Sequence, residues 1–559
     1  MIKVLTKLNP LALPPNDPPP IRDQYEDVRV YIPPAVVLGT DVFDTFVDEN
    51  NLRDFALNAT DDVEITKRFL EAKKFPEEIL GELAALLDLI IEPLAVRSSS
   101  LLEDSQYHPF AGVYETYFLP NQHENPLIRL SEVLDAVKRV YASTFYQGVK
   151  SYIKVTSYRL EEEKMAVIIQ KMVGAAHNDR FYPDFAGVAK SYNFYPIPPQ
   201  KSSDGAVAVA LGLGKTVVDG GNTVKFSPAH PNHLPQFFSV KETLRNNQRN
   251  FYALDLSSNS QESYATHDVQ IKQYSLDEAE TDGSLYYVGS TYSKENNAIY
   301  DGLSRIGPRV VSFAPVLKNK IFPLPQILEL LLEMGSWGMG TSIEIEFAVR
   351  MSVKPNQPKE FGLLQMRPVA LKREIEELKI EVTNKNQLLC KSPWVLGHGV
   401  REDIKDIVFV NYNTFDRSKS KEVAQEVTTL NSSLFAKQTP YLLIGVGRWG
   451  TLDPWLGIPV NWDQISGARA IVESSFKDFM VTPSQGSHFF QNLTSFMIGY
   501  FTVNSFKNEG FVDWDWLIEQ PVTTEKKYTR HVRLKNPLTI KMNGQQNKGI
   551  ILKPNNQDG

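Results

Sequence analysis

The stretch Pro93–Tyr117, PLAVRSSSLLEDSQYHPFAGVYETY, concentrates groups able to do chemistry. It sets one arginine, Arg97, against three serines, Ser98–Ser100, with an acidic pair and a glycine soon after. A guanidinium beside hydroxyls and free backbone N–H groups suits an anionic oxygen cluster such as a phosphate. Glu103, Asp104 and Glu115 stand close enough in sequence to balance that arginine or to hold a divalent cation. The plain alternative is a surface turn in which Arg97 pairs with Glu103 or Asp104.

The elements around this stretch must position it. Leu87, Leu89, Ile90, Ile91, Leu94, Ala95 and Val96 read as a buried strand or the approach to one, with Arg97 at its end. Val28–Tyr31 and Val36–Leu38 read as extended. Asp41–Asn50 and Asn51–Leu57 read as helices, with Asp41 able to cap the first. Asp61–Lys73, Pro76–Leu87 and Leu130–Thr144 carry apolar residues at helical spacing. Val167–Met172 and Ala206–Leu213 are short apolar runs suited to buried strands, and Ile327–Gly335 to a deeply packed helix. Residues 245–300 are polar and read as an insertion or a mobile lobe. Glu344 and Glu346 alternate along a strand, a pattern that also fits a solvent face.

VRSSSLLEDS…FAGVYETYF resembles the nucleotide-binding domain of phosphoenolpyruvate synthase and pyruvate phosphate dikinase, where VRSS-x-x-x-ED…FAG-x-x-ET is a hallmark. Further segments follow in the same order. They are VYIPPAVVLGTDVFDTFVDEN (Val30–Asn50), VYASTFYQGVKSYI (Val140–Ile153), VIIQKMV (Val167–Val173), FAGVAKSYNFYP, AVAVALGLGKTVVDGG (Ala206–Gly221), EIEFAV and LLQMRPVA. The likeness runs over about residues 30–371. It implies an α/β (α+β) fold with an ATP-grasp-like, two-lobed nucleotide-binding domain, and ATP and Mg²⁺ as cofactors.

By the same resemblance Arg97, with Ser98 beside it, contacts phosphate, and Arg367 contacts the phosphoryl group in transfer. Glu346 and Gln365 match the family's metal ligands, a carboxylate and an amide carbonyl suited to Mg²⁺. Gln170, Met172 and their neighbours would offer backbone groups and an apolar wall to adenine. Gly212 and Gly214, in LGLGK, let the backbone approach a ligand. Two departures stand out. Lys215 replaces the glutamate of the family's GLGE. No Gly-Gly-Lys segment precedes Val30, where Lys3 and Lys7 lie in no glycine context; the expectation is a truncated or alternatively started chain, the alternative a weakened phosphate grip.

With 559 residues, two or three domains are expected. The division read here is a proline-rich arm over 1–28, the nucleotide-binding domain over 29–371, a charged linker over 372–400, and a separate smaller C-terminal α/β domain over 401–559. In that last part IVFVNY and YLLIGVGRWG read as strands, Ser418–Leu434 as a helix, GARAIVESS as helical and SFMIGYFTVN as a strand, which is βαβ order. Arg448, Trp449, Asp453, Trp455 and Trp462 follow a strand end, and a tryptophan-rich packing corner is the favoured reading. His488, in PSQGSHFF, reads first as a histidine satisfied by neighbouring hydroxyls, with phosphoryl acceptance the sharper alternative. No histidine here lies in the family's GG-x-T-S/C-H-A-A context.

A net charge of −7 and a pI near 5.8 give no electrostatic reason to expect nucleic acid or an anionic membrane as partner. No apolar run approaches the roughly 20 residues that cross a bilayer. The single cysteine, Cys390, excludes an internal disulfide and fits a reducing, cytoplasmic setting. The leading expectation is therefore an ATP-binding phosphotransferase that phosphorylates a histidine or a small acceptor, on itself or on a partner. Its rivals are a nucleotide-sensing scaffold without catalysis and an ATP-dependent carboxylate ligase.

Overall fold

The computed structural model describes the chain apart from residues 1–24, 26, 101–113, 154–158, 198, 235–236, 238, 258–269, 370–379, 381–383, 452, 477–479, 484–486, 496–497, 545 and 555–559. Glu103 and Asp104 lie outside the described residues. Helices and mixed sheets alternate along the chain, as an α/β protein requires.

A four-stranded antiparallel sheet carries Arg97. Its order is Ala35–Leu38, Met165–Lys171, Leu94–Ser100, Thr116–Leu119. Side chains alternate between the faces of a strand. Leu94, Val96, Met165, Val167 and Ile169 turn to a core shared with Phe43, Phe46, Phe69, Val137 and Tyr141 of the helices Thr40–Glu49, Asp62–Glu71 and Pro126–Ser143. Phe43 and Tyr141 meet edge-on with centroids 5.1 Å apart. The opposite face carries Arg97 level with Ile168, and Ala95 level with Gln170. Asp41 is not the cap expected of it: the helix starts at Thr40 behind Gly39, with no side-chain cap bond. Asp61 does cap, its carboxylate accepting from the Val63 N–H at 2.9 Å.

A six-stranded sheet follows, in the order Val28–Tyr31, Lys359–Pro368, Ile343–Arg350, Phe185–Lys190, Ala206–Leu211, Val224–Phe226. Ile343, Ile345, Phe347 and Val349 enter a second core with Ile327, Leu328 and Leu331 of the helix Leu324–Met339. The other face holds polar rows, set by register. Lys190 lies opposite Glu344, and Glu344 opposite Arg367; Val188 lies opposite Glu346, and Glu346 opposite Gln365. The pairing slips after Glu346, because Phe347 faces Leu363 and leaves Leu364 as an extra residue. That bulge sends Phe361 and Leu363 to the core while Gln365 and Arg367, also odd-numbered, join the polar face.

Residues 245–300, read as an insertion or a mobile lobe, contain paired strands. Asn250–Asp255 and Ile271–Ser275 pair with each other and complete a sheet with Arg180–Tyr182 and Ala175–His177. Phe251, Ala253 and Leu254 anchor it in the second core, a few apolar positions that outweigh the polar composition.

The C-terminal part builds a seven-stranded sheet whose middle strands, Asp406–Val410, Tyr441–Val446, Ala468–Ser474 and Gly499–Val503, run parallel in chain order. Ala468–Ser474 corrects the helical reading of GARAIVESS. A parallel strand covered on both faces shows a continuous apolar run, which periodicity cannot separate from a short buried helix. One face of the sheet packs on a five-stranded sheet through Leu442, Ile444, Val472 and Phe501. The other, through Leu443, Ile471 and Tyr500, belongs to the same apolar cluster as Phe43 and Tyr141. Tyr195, from the stretch after Phe185–Lys190, packs on the C-terminal part, its ring 6.0 Å from Phe490 and 6.4 Å from Trp394.

Candidate functional site

Arg97 crosses from the four-stranded sheet to the six-stranded one. Its Nη2 donates to Gln365 Oε1 at 2.7 Å and to Glu346 Oε2 at 3.2 Å. Arg367 donates from Nε and Nη2 to Glu344 Oε1 at 2.8 and 2.6 Å, and from Nη2 to Glu346 Oε1 at 3.3 Å. Glu346 is thus held between two guanidinium groups. The four side chains singled out for phosphate and metal converge at one place.

Burial divides this cluster in two. Glu344 and Lys190 have side chains 2% and 3% exposed, with Lys190 Nζ 2.8 Å from Glu344 Oε2. Burial pushes the Glu344 carboxyl up, but the Lys190 ammonium and the Arg367 guanidinium outweigh it and hold the carboxyl below its usual range. Lys190 is drawn below the ordinary lysine value by burial, with Arg367 adding to the effect and Glu344 opposing it. Arg97 and Glu346 keep 19% and 16% exposure, enough for a ligand to reach them. The first set fixes the second. Sequence reasoning passed over Lys190 and read Glu344 as compatible with a solvent face; the available signal was a lysine ending the apolar strand FAGVAK.

The remaining expected residues separate. Gln170, buried, shares the Arg97 face of its sheet. Met172 is buried in the second core, and its N–H donates to Pro93 O at 2.9 Å. Ser98 lies apart: alternation places its hydroxyl on the opposite face from Arg97, with Leu94 and Val96. Gly212 has φ +81°, and a Cβ there would sit 2.7 Å from Tyr252 O, so its neighbouring strand already accounts for the glycine. Gly214 opens the short helix Lys215–Val218. Lys215, where glutamate was expected, pairs with Asp219 at 3.2 Å.

In the C-terminal part, Trp449 and Trp462 are buried in the shared core, while Trp455 is 65% exposed. The packing-corner reading holds for the first two tryptophans only. Arg448 is buried and donates to Gly220 O at 3.0 Å and Thr482 Oγ1 at 2.6 Å. His488 begins the helix His488–Ser495; its side chain lies outside the described atoms.

Among the described residues no group of three or more His, Cys, Asp or Glu could hold a metal. Glu346 and Gln365 are nonetheless hard oxygen donors meeting at one guanidinium. Mg²⁺ is commonly held by one or two protein oxygens together with substrate phosphates. The donor set therefore fits that ion.

This chain belongs to the family described as pyruvate phosphate dikinase, AMP/ATP-binding domain, whose model matches residues 21–388. It is 25% identical over 371 residues to a phosphoenolpyruvate synthase of Aeropyrum pernix, covering 62% of this chain and 40% of that protein. It is 27% identical over 195 residues to an uncharacterized phosphotransferase, YvkC, of Bacillus subtilis, covering 34% of this chain and 20% of that one. A probable phosphoenolpyruvate synthase of Archaeoglobus fulgidus matches at 29% over 127 residues, 23% of this chain and 14% of that protein. The chain thus matches less than half the length of each relative. The family expected from VRSS, EIEFA and LLQMR is the family found. Among the described residues, no helix is long and apolar enough to cross a membrane.

Proposed function

We propose that this chain is an ATP-dependent phosphotransferase that binds Mg²⁺ and ATP between the four-stranded and six-stranded sheets. The two sheets act as the lobes of an ATP-grasp-like unit over residues 29–371, followed by a smaller C-terminal α/β part. The observation that carries the reading is the meeting of Arg97 with Gln365 and Glu346 across the two sheets, inside a family of AMP/ATP-binding domains.

Glu346 and Gln365 would hold the magnesium ion, which when bound neutralises triphosphate charge. Arg97 now contacts the same two oxygens. On nucleotide binding its guanidinium exchanges them for phosphate oxygens, and so draws the sheets onto the ligand. Arg367, fixed by Glu344, presents its charge where negative charge spreads during transfer. Gln170 and the chain through Val173 flank the base. The acceptor is a histidine or a small molecule.

Isothermal titration of Mg²⁺ and ATP into the wild type and Arg97→Ala tests this. The expected result is binding by the wild type and roughly tenfold or greater weakening in the variant, the loss of charged hydrogen bonds. Label exchange between ATP and ADP or AMP then reports transfer. Absence of binding in both proteins would overturn the reading in favour of a scaffold.

A further inference from the structure

The polar face of the six-stranded sheet continues past Glu344 and Glu346 to Lys190 and Val188, one strand further on. There it opens into a cavity of about 290 Å³. Ala206, Ala208 and Lys225 extend the sheet wall; Trp394, Arg448 and the segment Met480–Pro483 close the other side. The volume equals about ten water molecules, at the low end for a small-molecule site. Directly opposed residues on neighbouring strands lie about 5 Å apart. The cavity therefore begins beside Glu344 and the metal-assigned Glu346.

Its charge is lopsided. Lys190, Lys225, Arg448 and Lys507 line it, against the single acid Glu509. Lys190 is balanced by Glu344. Among the described residues Arg448 has a carbonyl and a hydroxyl as acceptors and no carboxylate. Glu473, behind Arg448, is turned away, accepting from the Trp449 N–H at 2.7 Å and from the Tyr500 hydroxyl. Lys225 donates to Pro483 O at 2.5 Å. Burial, with Arg448 beside it, pulls the Lys225 ammonium well below its ordinary value. A guanidinium that lines a cavity with no carboxylate paired to it favours an anionic oxygen there.

We propose that this cavity is the co-substrate pocket of the phosphotransferase and takes a small oxyanion, a carboxylate or a phosphate, held by Lys225 and Arg448. The inference rests on the nucleotide reading above and names the substrate class for that site. The pocket sits where the family match ends and the C-terminal part begins to contribute: Arg448, Thr482 and Trp394 all lie beyond residue 388.

The test is titration of inorganic phosphate, and separately acetate, into the full chain with and without Mg²⁺ and ATP, using the wild type, Lys225→Met, Ala208→Leu and Arg97→Ala. Lys225→Met removes the charge at similar length, and Ala208→Leu fills the cavity while keeping every charge. Thermal unfolding confirms that each variant folds. The expected result is oxyanion binding weakened roughly tenfold or more by both cavity variants, with Mg²⁺ and ATP binding retained. Whichever of phosphate or acetate binds identifies the oxyanion. Binding lost in Arg97→Ala but unchanged in both cavity variants would move the anion to the nucleotide site and overturn the proposal, as would no binding of either anion by the wild type. If ATP fails to bind while the cavity variants still abolish oxyanion binding, the nucleotide reading falls and the anion pocket stands.

Discussion

Glu344 faces Arg367 across one antiparallel pair and takes two of its hydrogen bonds on a single oxygen, Oε1, leaving Oε2 to Lys190. One carboxylate thus ties together two buried cations from the strands on either side of it. Removing it strips Lys190 of that counterion and leaves Arg367 to Glu346, and an uncompensated buried charge is costly.

Glu344→Gln should therefore destabilise the protein by about 3–5 kcal/mol, read as the shift in urea midpoint. Lys190→Met combined with Glu344→Gln should cost less than the two changes summed. A loss below about 1 kcal/mol would mean that the trio is no tighter than a surface pair.

Chelating Mg²⁺ should weaken ATP binding in the wild type far more than in Glu346→Gln, where the carboxylate donor is already gone. Titrations with and without chelator give the two ratios. Equal ratios would remove Glu346 from the metal's surroundings.

Glu473 sets a pH dependence of stability. Burial pushes its carboxyl from the ordinary 4.5 up to about 7, against hydrogen bonds from Tyr500 and the Trp449 N–H and the charges of Arg448 and Lys225. Below pH 4.5 the group is protonated whether the chain is folded or not, and contributes nothing. Between 4.5 and about 7 the unfolded chain releases the proton while the folded chain keeps it, so stability falls; above 7 the loss is constant. The wild type should lose ~3 kcal/mol relative to Glu473→Gln across that window. Parallel stability curves for the two proteins would refute this.

Cys390 is fully buried in the strand Leu388–Ser392, and burial pushes its thiol well above the usual range. An aromatic disulfide reagent should label it only as fast as the chain unfolds. Rapid labelling under native conditions would show that the sheet opens locally.

Arg97, Glu346, Gln365 and Arg367 were legible because each sits in a short run with fixed neighbours. Their partners were not. Lys190 and Glu344 lie 154 positions apart, and only strand order makes them adjacent. Ser98 parts from Arg97 because adjacency in sequence is opposition in a strand. GARAIVESS misled because full burial erases the alternation that marks a strand. The cavity was invisible for a further reason: its sheet wall and its lid come from stretches more than 160 residues apart, with no shared motif.

Leu364 is a phase shifter for this strand. A simple odd–even count would put Leu363 and Gln365 on one side, and the added residue divides them between the apolar core and the Arg97 side. Shortening the strand there by one residue would rotate an amide donor and a guanidinium toward the helix Leu324–Met339 with almost no change in composition. Length at that point should thus be guarded more strictly than identity, and a library that varies residue 364 should keep function where a one-residue deletion loses it.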